Sequence, residues 1–465
     1  MPNSTKDGLG CMSRLRRHWG WVVTFASYLI YFITIGVIYC FGIITVAVQN
    51  DLNSSVAATG WIPSIASGLS LISVAIVDSL VRRFSHRLVS IIGVVLCFIA
   101  CLVTSFMPSV FPMYFTFGLA YGTGAGICTF SGMLLVVEHF PSEHRSRATS
   151  LAVAGTTTGM LVLNPVVYGL LSALGWRSTL RILGAVVLGL GITMSAFLTP
   201  VSKMQKKGHV SDDAIHENSI SPLKKTENEG KITAPNTLRP SRQTGRYEVY
   251  KFPEWWILLL ATISSQMSIS IFFFYWAKLV LSLGFKESTA AVAMTIMAAS
   301  ELAGKLTIAV IADHLPFPKL YLHYVPIVVG VCIMLSIKHI TTLPLIFVIS
   351  SITGFFVASP LNTLPYVITS EVFPNRGSVP MTSMVVAVGL GLTLGAVYGY
   401  SLDFTGSFSG ALNGCIAAYA FSAVLLLSVV LYQKYLAEER YVMWNTVRHR
   451  HGVKQACKDN DLAEL

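Results

Sequence analysis

Charge is what this sequence has least of. Only 12% of its 465 residues are Asp, Glu, Lys or Arg, about half the share of an ordinary soluble domain. That shortage excludes a solvated globular protein, and a mean hydropathy of +0.64 points the same way. Signatures of chemistry are missing as well. The chain has no phosphate-cradling glycine loop, no nucleophile elbow and no His/Glu metal constellation, and it lacks a potassium-channel filter string. Neither an enzyme nor a metal or cofactor is expected. The eight cysteines follow no ligand or disulfide spacing. Cys40, Cys97, Cys101, Cys128, Cys332 and Cys415 fall in apolar runs and read as small packing residues. No cleavable leader is expected, because the opening residues are polar and the first apolar run is too long for an h-region.

Long apolar runs are what the chain does have, each able to cross about 30 Å of hydrocarbon. Breakers divide them into twelve expected spans, near 19–48, 56–81, 88–107, 111–138, 148–173, 179–199, 255–283, 288–312, 320–338, 342–369, 379–401 and 410–436. A polar stretch rich in Lys, Ser and Pro parts the sixth from the seventh and reads as a disordered linker. The expected organisation is therefore an N-terminal segment (1–18), a six-helix half (19–199), a linker (200–254), a second six-helix half (255–436) and a tail (437–465). The net charge of +11 is not a nucleic-acid footprint. Lys and Arg gather in alternate gaps such as "VRRFSHR", "SEHRSR" and "FPNRG", which places both termini and the linker in the cytoplasm.

The expected fold class is thus all-α: a polytopic protein with the lipid bilayer as its solvent. Six spans, a long loop and six spans is the layout of the major facilitator fold, whose substrate site lies near the midplane between its halves. Gly118, Gly122 and Gly126 in the fourth span repeat every four residues, as do Gly391, Gly395 and Gly399 in the eleventh. Both stripes predict close helix packing.

An ionisable side chain inside a span costs about 2.5–3.5 kcal/mol on insertion scales, so each is a functional candidate. The stretch "MAASELAGKLTIAVIAD" in the eighth span holds Glu301 and Lys305, four residues apart and so on one helical face. Two readings stand side by side: a charge switch that trades partners with a substrate, and a static ion pair pinning the bundle. Lys278, near the outer end of the seventh span, either snorkels to the headgroups or attracts external anions. Arg177 and Arg181 read as interfacial anchors. Asn164, Gln266 and Asn362 either line a cavity or make interhelical hydrogen bonds of about 0.6 kcal/mol. "SISIFFFYW" packs Phe272, Phe273 and Phe274 into one cluster, and Asn53 opens a glycosylation sequon on the outer side.

Several strings together resemble the monocarboxylate transporter family, solute carrier family 16, over about residues 20–436. They are "HWGWVVTFASYLIYFITIG", "GWIPSIASG", "HFPSEHRSRATSLAVAGTTTG", "GWRSTLRILG" and "YWAKLVLSLGFKESTAAVAMTIMAASELAGKLTIAVIAD". The resemblance implies a secondary or facilitative transporter of a small organic anion or zwitterion, working by alternating access in the plasma membrane. It assigns Glu301 and Lys305 to proton and anion coupling, with Lys in place of the family's Arg, and puts Tyr39 in the cavity. Asp313 matches the signature-loop Asp, and Arg82, Arg83 and Arg87 keep the basic half of the matching loop; all four are expected to gate. Ile43 stands where proton–lactate carriers have a Lys, and an apolar side chain cannot relay a proton. Proton-independent carriage of amino acids, creatine or similar solutes is therefore kept as the alternative, beside a non-transporting receptor on the same fold. A single-span ancillary subunit is the partner the family implies.

Overall fold

A computed structural model describes residues 4–140, 142–199, 252–311, 319–337, 339, 342–372 and 379–435. Helix is the regular structure throughout them. The first half comprises α1 (Ser4–Leu52), α2 (Val56–Ile72), α3 (Val74–Arg83), α4 (His86–Thr104), α5 (Val110–His139) and α6 (Ser142–Ser195). The second comprises α7 (Pro253–Ser282), α8 (Glu287–Ile311), α9 (Leu320–Ile337), α10 (343–372), α11 (Pro380–Thr405) and α12 (Ser409–Tyr435). Among the described residues ten helices are long and apolar enough to cross a membrane, or eleven if the bent pair α2–α3 is one crossing.

The expected count of twelve rests on α6. Its 54 residues would reach about 80 Å if straight, far beyond about 30 Å of hydrocarbon. Gly175, at φ 74° and ψ 169°, breaks it where the sequence reads "GWRS". That backbone conformation is left-handed and suits only glycine. The helix therefore changes direction there, and its two arms overlap the expected fifth and sixth spans, while the helices taken whole give the ten or eleven crossings above. The corner is pinned to the end of α1: Arg177 meets Asp51 at 2.6 Å and the Trp176 indole donates to the same carboxylate at 3.0 Å. Arg181 donates to Ser105 at 3.0 Å and lies over the Phe106 ring, tying the second arm to α4.

Each half has its own apolar core. One is built around Ile30, Phe41, Phe117 and Tyr121 of the first half, the other around Phe272, Trp276, Met297 and Tyr419 of the second. Ile43, Val56 and Met160 of the first half belong to the second core, so the halves interlock. Without a hydrophobic drive between helices in lipid, close backbone approach holds such bundles together, and the glycine stripes supply it. A Cβ at Gly122 would lie 2.5 Å from the Ala66 carbonyl oxygen, and one at Gly126 would run into Ser70. These two seat α5 on α2. On α11, Gly391 faces Ile263 and Gln266 of α7, while Gly399 faces Ala57 of α2 across the halves. A further stripe, Gly155 and Gly159, lets α6 lie on Tyr28 and Phe32 of α1. Turns of π-helix interrupt α5 (Tyr114–Tyr121), α7 (Ile271–Tyr275) and α10 (Thr353–Ala358); such bulges often mark functional positions in helices.

These contacts set the tolerance of each glycine. Gly159→Leu is expected to cost about 3 kcal/mol or more through overpacking against the Phe32 backbone, read as a lost monodisperse peak or a lowered melting midpoint in detergent. Gly169→Leu, further along the same arm of α6 with nothing within 4 Å of its Cβ direction, should leave both unchanged.

Candidate functional site

The turn of α8 that carries the acid is built for contact. A Cβ at Gly304 would lie 2.8 Å from the Phe355 carbonyl oxygen, and one at Gly354 would lie 2.9 Å from the Glu301 amide nitrogen. These two glycines let the π-helical turn of α10 rest on the backbone of α8. Asn362, two turns further along α10, thereby reaches the acid and donates its amide to Glu301 Oε1 at 3.0 Å.

Glu301 and Lys305 form an ion pair, Nζ to Oε1, at 2.8 Å. Their side chains are 1% and 12% exposed, so the pair is withdrawn from solvent. Burial of two charges is tolerated only with excellent geometry and further hydrogen bonds, and removing one partner costs about 3–5 kcal/mol. The further bonds are present. Beside Asn362 on the acid, the ammonium donates to Thr157 Oγ1 at 2.5 Å and to Thr156 Oγ1 at 3.4 Å. Both threonines lie on the first arm of α6, in the other half. The charged pair is therefore one of the ties between the halves.

A second tie lies at the opposite end of the bundle, where α1 gives way to α2. Lys278 is 6% exposed and donates to Thr59 Oγ1 at 2.5 Å instead of reaching toward headgroups. The Asp403 carboxylate accepts from the Val56 and Ala57 amides, both at 2.8 Å. Those are the first donors of α2, unsatisfied within the helix and at its positive end. Tyr275 donates to the Ala396 carbonyl at 2.8 Å and holds α7 on α11 beside them. Between the two ties, Tyr39 stacks on Phe273 with centroids 4.9 Å apart, and Gly42 admits the Phe273 carbonyl. Ile43 lies next to this contact, 7% exposed and in the apolar core.

The remaining sequence candidates scatter. Gln266 donates to the Leu361 carbonyl at 2.7 Å and serves as an interhelical bond. Asn164 is fully buried, and its amide has no hydrogen-bond partner among the described residues. Arg82 pairs with Asp78 one turn away at 2.6 Å in solvent, and Arg83 and Arg87 are exposed. Asp313 and residues 200–251 of the linker lie outside the described residues, while Pro253 and Glu254, expected in the linker, open α7. Asn53 occupies the exposed turn between α1 and α2 with φ 46°. Sequence reading missed Asp403, whose partners are 346 and 347 residues away. It also missed Thr156 and Thr157, which sit in a Thr-rich helix where hydroxyls ordinarily bond their own backbone.

Comparison with known proteins agrees with this architecture. The sequence model of the Major Facilitator Superfamily matches residues 23–396, and the chain belongs to that superfamily, a class of membrane transporters. It is similar to monocarboxylate transporter 12 of Rattus norvegicus, 26% identical over 428 residues that cover 88% of this chain and 85% of that one. It is also similar to human monocarboxylate transporter 7, 22% identical over 455 residues covering 88% and 86%. In three dimensions it resembles the nucleoside transporter NupG, at a TM-score of 0.64 and 14% identity over 90% of this chain and 99% of that one. A bacterial homolog of the lysosomal transporter Spinster, solved inward-facing and unoccupied, aligns at a TM-score of 0.55 and 15% identity, covering 92% and 97%. These structural likenesses concern the fold.

The Asp403 tie sets an expected order of stability. Asp403→Ala orphans two helix-end donors and loses bonds to a charged acceptor, a loss of about 2 kcal/mol. Asp403→Asn keeps one carbonyl acceptor and should lose less. Thermal unfolding of the purified protein in detergent should rank wild type above D403N above D403A; equal midpoints for all three would show that the tie contributes nothing.

Proposed function

We propose that this chain is a carrier of small organic monocarboxylates, anionic or zwitterionic, that works by alternating access, with Glu301 and Lys305 as its charge-switching element. It sits in the plasma membrane, as the resemblance to monocarboxylate transporters suggests, with both termini in the cytoplasm, as the distribution of Lys and Arg implies. The observation that carries this reading is the buried Glu301–Lys305 pair whose ammonium is also bonded to the opposite half. The relatives named monocarboxylate transporters support the substrate class, and the superfamily supports the transport cycle.

The physical logic is charge conservation in a dry site. With no substrate, Glu301 neutralises Lys305. A carboxylate that binds Lys305 replaces Glu301 as its partner, and Glu301 is then a buried anion with only Asn362 to stabilise it. Such an anion is too costly to leave uncompensated, so it must be neutralised. A proton from solution can do this, which couples one proton to one carboxylate. A cationic group on the substrate itself can do it as well, which makes a zwitterion self-sufficient and its transport indifferent to the proton gradient. Ile43 confines any relay to α8, because the first span offers no cation at that position. Lys305 adds breadth of choice: an ammonium is a point charge, without the planar fork by which Arg selects carboxylates bidentately.

The test is uptake into proteoliposomes of labelled lactate, pyruvate, tyrosine and creatine, each with and without an inward proton gradient. Wild type should move at least one of them. Glu301→Gln should keep uptake of an anion but lose its response to the gradient, and Lys305→Ala should lower kcat/KM about 100-fold, the size of a lost charge-assisted contact. Uptake by Lys305→Ala equal to wild type would reduce the pair to a static tie.

A further inference from the structure

One of the two hydroxyls facing Lys305 departs from the habit of most threonines in this bundle. Thr24, Thr34, Thr158 and Thr363 each donate to the carbonyl four residues back, and Thr156 donates to that of Val153 at 2.9 Å. This is the usual way for a helix to satisfy a hydroxyl. Thr157 does not follow it. It is 1% exposed, and its oxygen accepts from Lys305 at 2.5 Å. Among the described residues the acceptor within reach of its hydrogen is Thr156 Oγ1, at a long 3.3 Å. A buried hydroxyl beside a buried ammonium thus keeps its hydrogen nearly free.

The same face of α6 carries a second unspent group. Residues 157, 160 and 164 follow the spacing of one helical face. Met160 on that face belongs to the apolar core of the opposite half, so the face is turned toward α8 and its neighbours. Asn164 is 0% exposed and neither atom of its amide is hydrogen-bonded. An unpaired buried amide costs about 1–3 kcal/mol, a cost that a ligand group would remove. Two turns of helix set it about 10 Å from Thr157 along the axis.

We propose that the substrate carboxylate is shared between the halves, one oxygen on the Lys305 ammonium and the other on the Thr157 hydroxyl, and that Asn164 receives a polar group at the substrate's far end. The assignment rests on the carrier function above and adds to it the residues contributed by the first half. Thr157 accepts from Lys305 when the site is empty and donates to the carboxylate when it is filled, so its hydroxyl reorients without moving the backbone. Because one ligand is gripped by α6 and α8 together, its binding is felt by both halves, as a rocking cycle requires. The shared chemistry is the carboxylate. A short anion such as lactate reaches Thr157 and Lys305 alone, and a longer zwitterion such as tyrosine reaches Asn164 also.

Proteoliposome uptake of labelled lactate and tyrosine separates these roles. Thr157→Val removes the hydroxyl at nearly constant shape. It should raise the KM of either carboxylate roughly 10-fold to 100-fold, the size of one hydrogen bond to a charged group; because it also takes an acceptor from the resting ammonium, its unfolding temperature should fall, and KM in the folded carrier is the deciding readout. Thr157→Ser should restore the wild-type KM. Asn164→Leu should raise the KM of tyrosine and leave that of lactate unchanged. If wild type carries a carboxylate and Thr157→Val carries it with the same KM, or if the serine variant is no better than the valine, the assignment of Thr157 is overturned and the carrier function stands. If Asn164→Leu leaves tyrosine unaffected, or if wild type carries lactate but not tyrosine, the role of Asn164 is overturned. A wild type that moves neither these nor any other carboxylate tested overturns the carrier reading, and this assignment with it.

Discussion

The constraint on which the structure depends is that a charge withdrawn from water must be met at every moment by another. Glu301 and Lys305 satisfy it together. The pair is 2.8 Å apart, and each member has a further neutral partner, Asn362 for the acid and Thr157 for the base. Measured against a hydrophobic pair of similar volume, such an arrangement gives little net stability. Its cost falls on any state in which one member is left alone. That makes the pair intolerant of being broken unless a third charge enters, whether a proton, an anion or a zwitterion. A static tie and a coupling device therefore have the same ground-state geometry, and what separates them is the opportunity for exchange. Here the ammonium lies at the boundary between halves, where relative motion provides that opportunity.

The fold divides its contacts accordingly. Within each half, glycine stripes bring backbones together: Gly122 and Gly126 between α5 and α2, and Gly155 and Gly159 between α6 and α1. Such contacts have no graded alternative, and they make each half a unit. Between the halves, polar bonds do much of the holding. Lys278 bonds Thr59, Asp403 bonds the start of α2, and Lys305 bonds Thr157. Each of these bonds has a charged member and is worth about 1.5–3 kcal/mol net, and one exchanged for water or ligand loses less than that, so bonds of this kind can open and close during a cycle. Gly399 against Ala57 and Gly389 against Gly68 show that close packing does reach across the boundary along α2 and α11, beginning at the end where Asp403 also acts. That end is held by both means.

Much of this was legible in the sequence because lipid imposes it. A fixed hydrocarbon thickness makes spans countable, and most helices follow the expected ones within a few residues, but α1 begins at Ser4 where the first span was expected from 19, and α2 and α3 divide the second. Glu301 and Lys305 were legible as a pair because four residues is one turn, and Asn362 because polar side chains are scarce in a span. What pairs with what was not legible. Lys278 had the composition of a snorkelling residue, yet a hydroxyl 219 positions away takes it inward. Asp403 sits in "YSLDFTGS", which reads as an interfacial gap, and nothing local says that a helix start lies against it. Thr157 was hidden for another reason. In a helix a threonine is satisfied by its own backbone, so only the absence of that bond marks it, and hydrogen bonds cannot be read from a sequence.

The replacement of the resembling family's Arg by Lys305 also acquires a physical sense. A guanidinium presents its donors in one plane and favours a single carboxylate met edge-on. An ammonium presents three donors around a point. At Lys305 three oxygens surround it, from Glu301 on its own helix and from Thr157 and Thr156 on the other half. No plane is needed for acceptors that come from two helices. A ligand carboxylate entering this site competes with groups already bonded to the ammonium, so its net gain is the difference between two sets of bonds and is necessarily modest. A modest gain suits a carrier, which must release at one face what it binds at the other, and it shifts selectivity from the charged end of the substrate to whatever the remainder of the cavity can recognise.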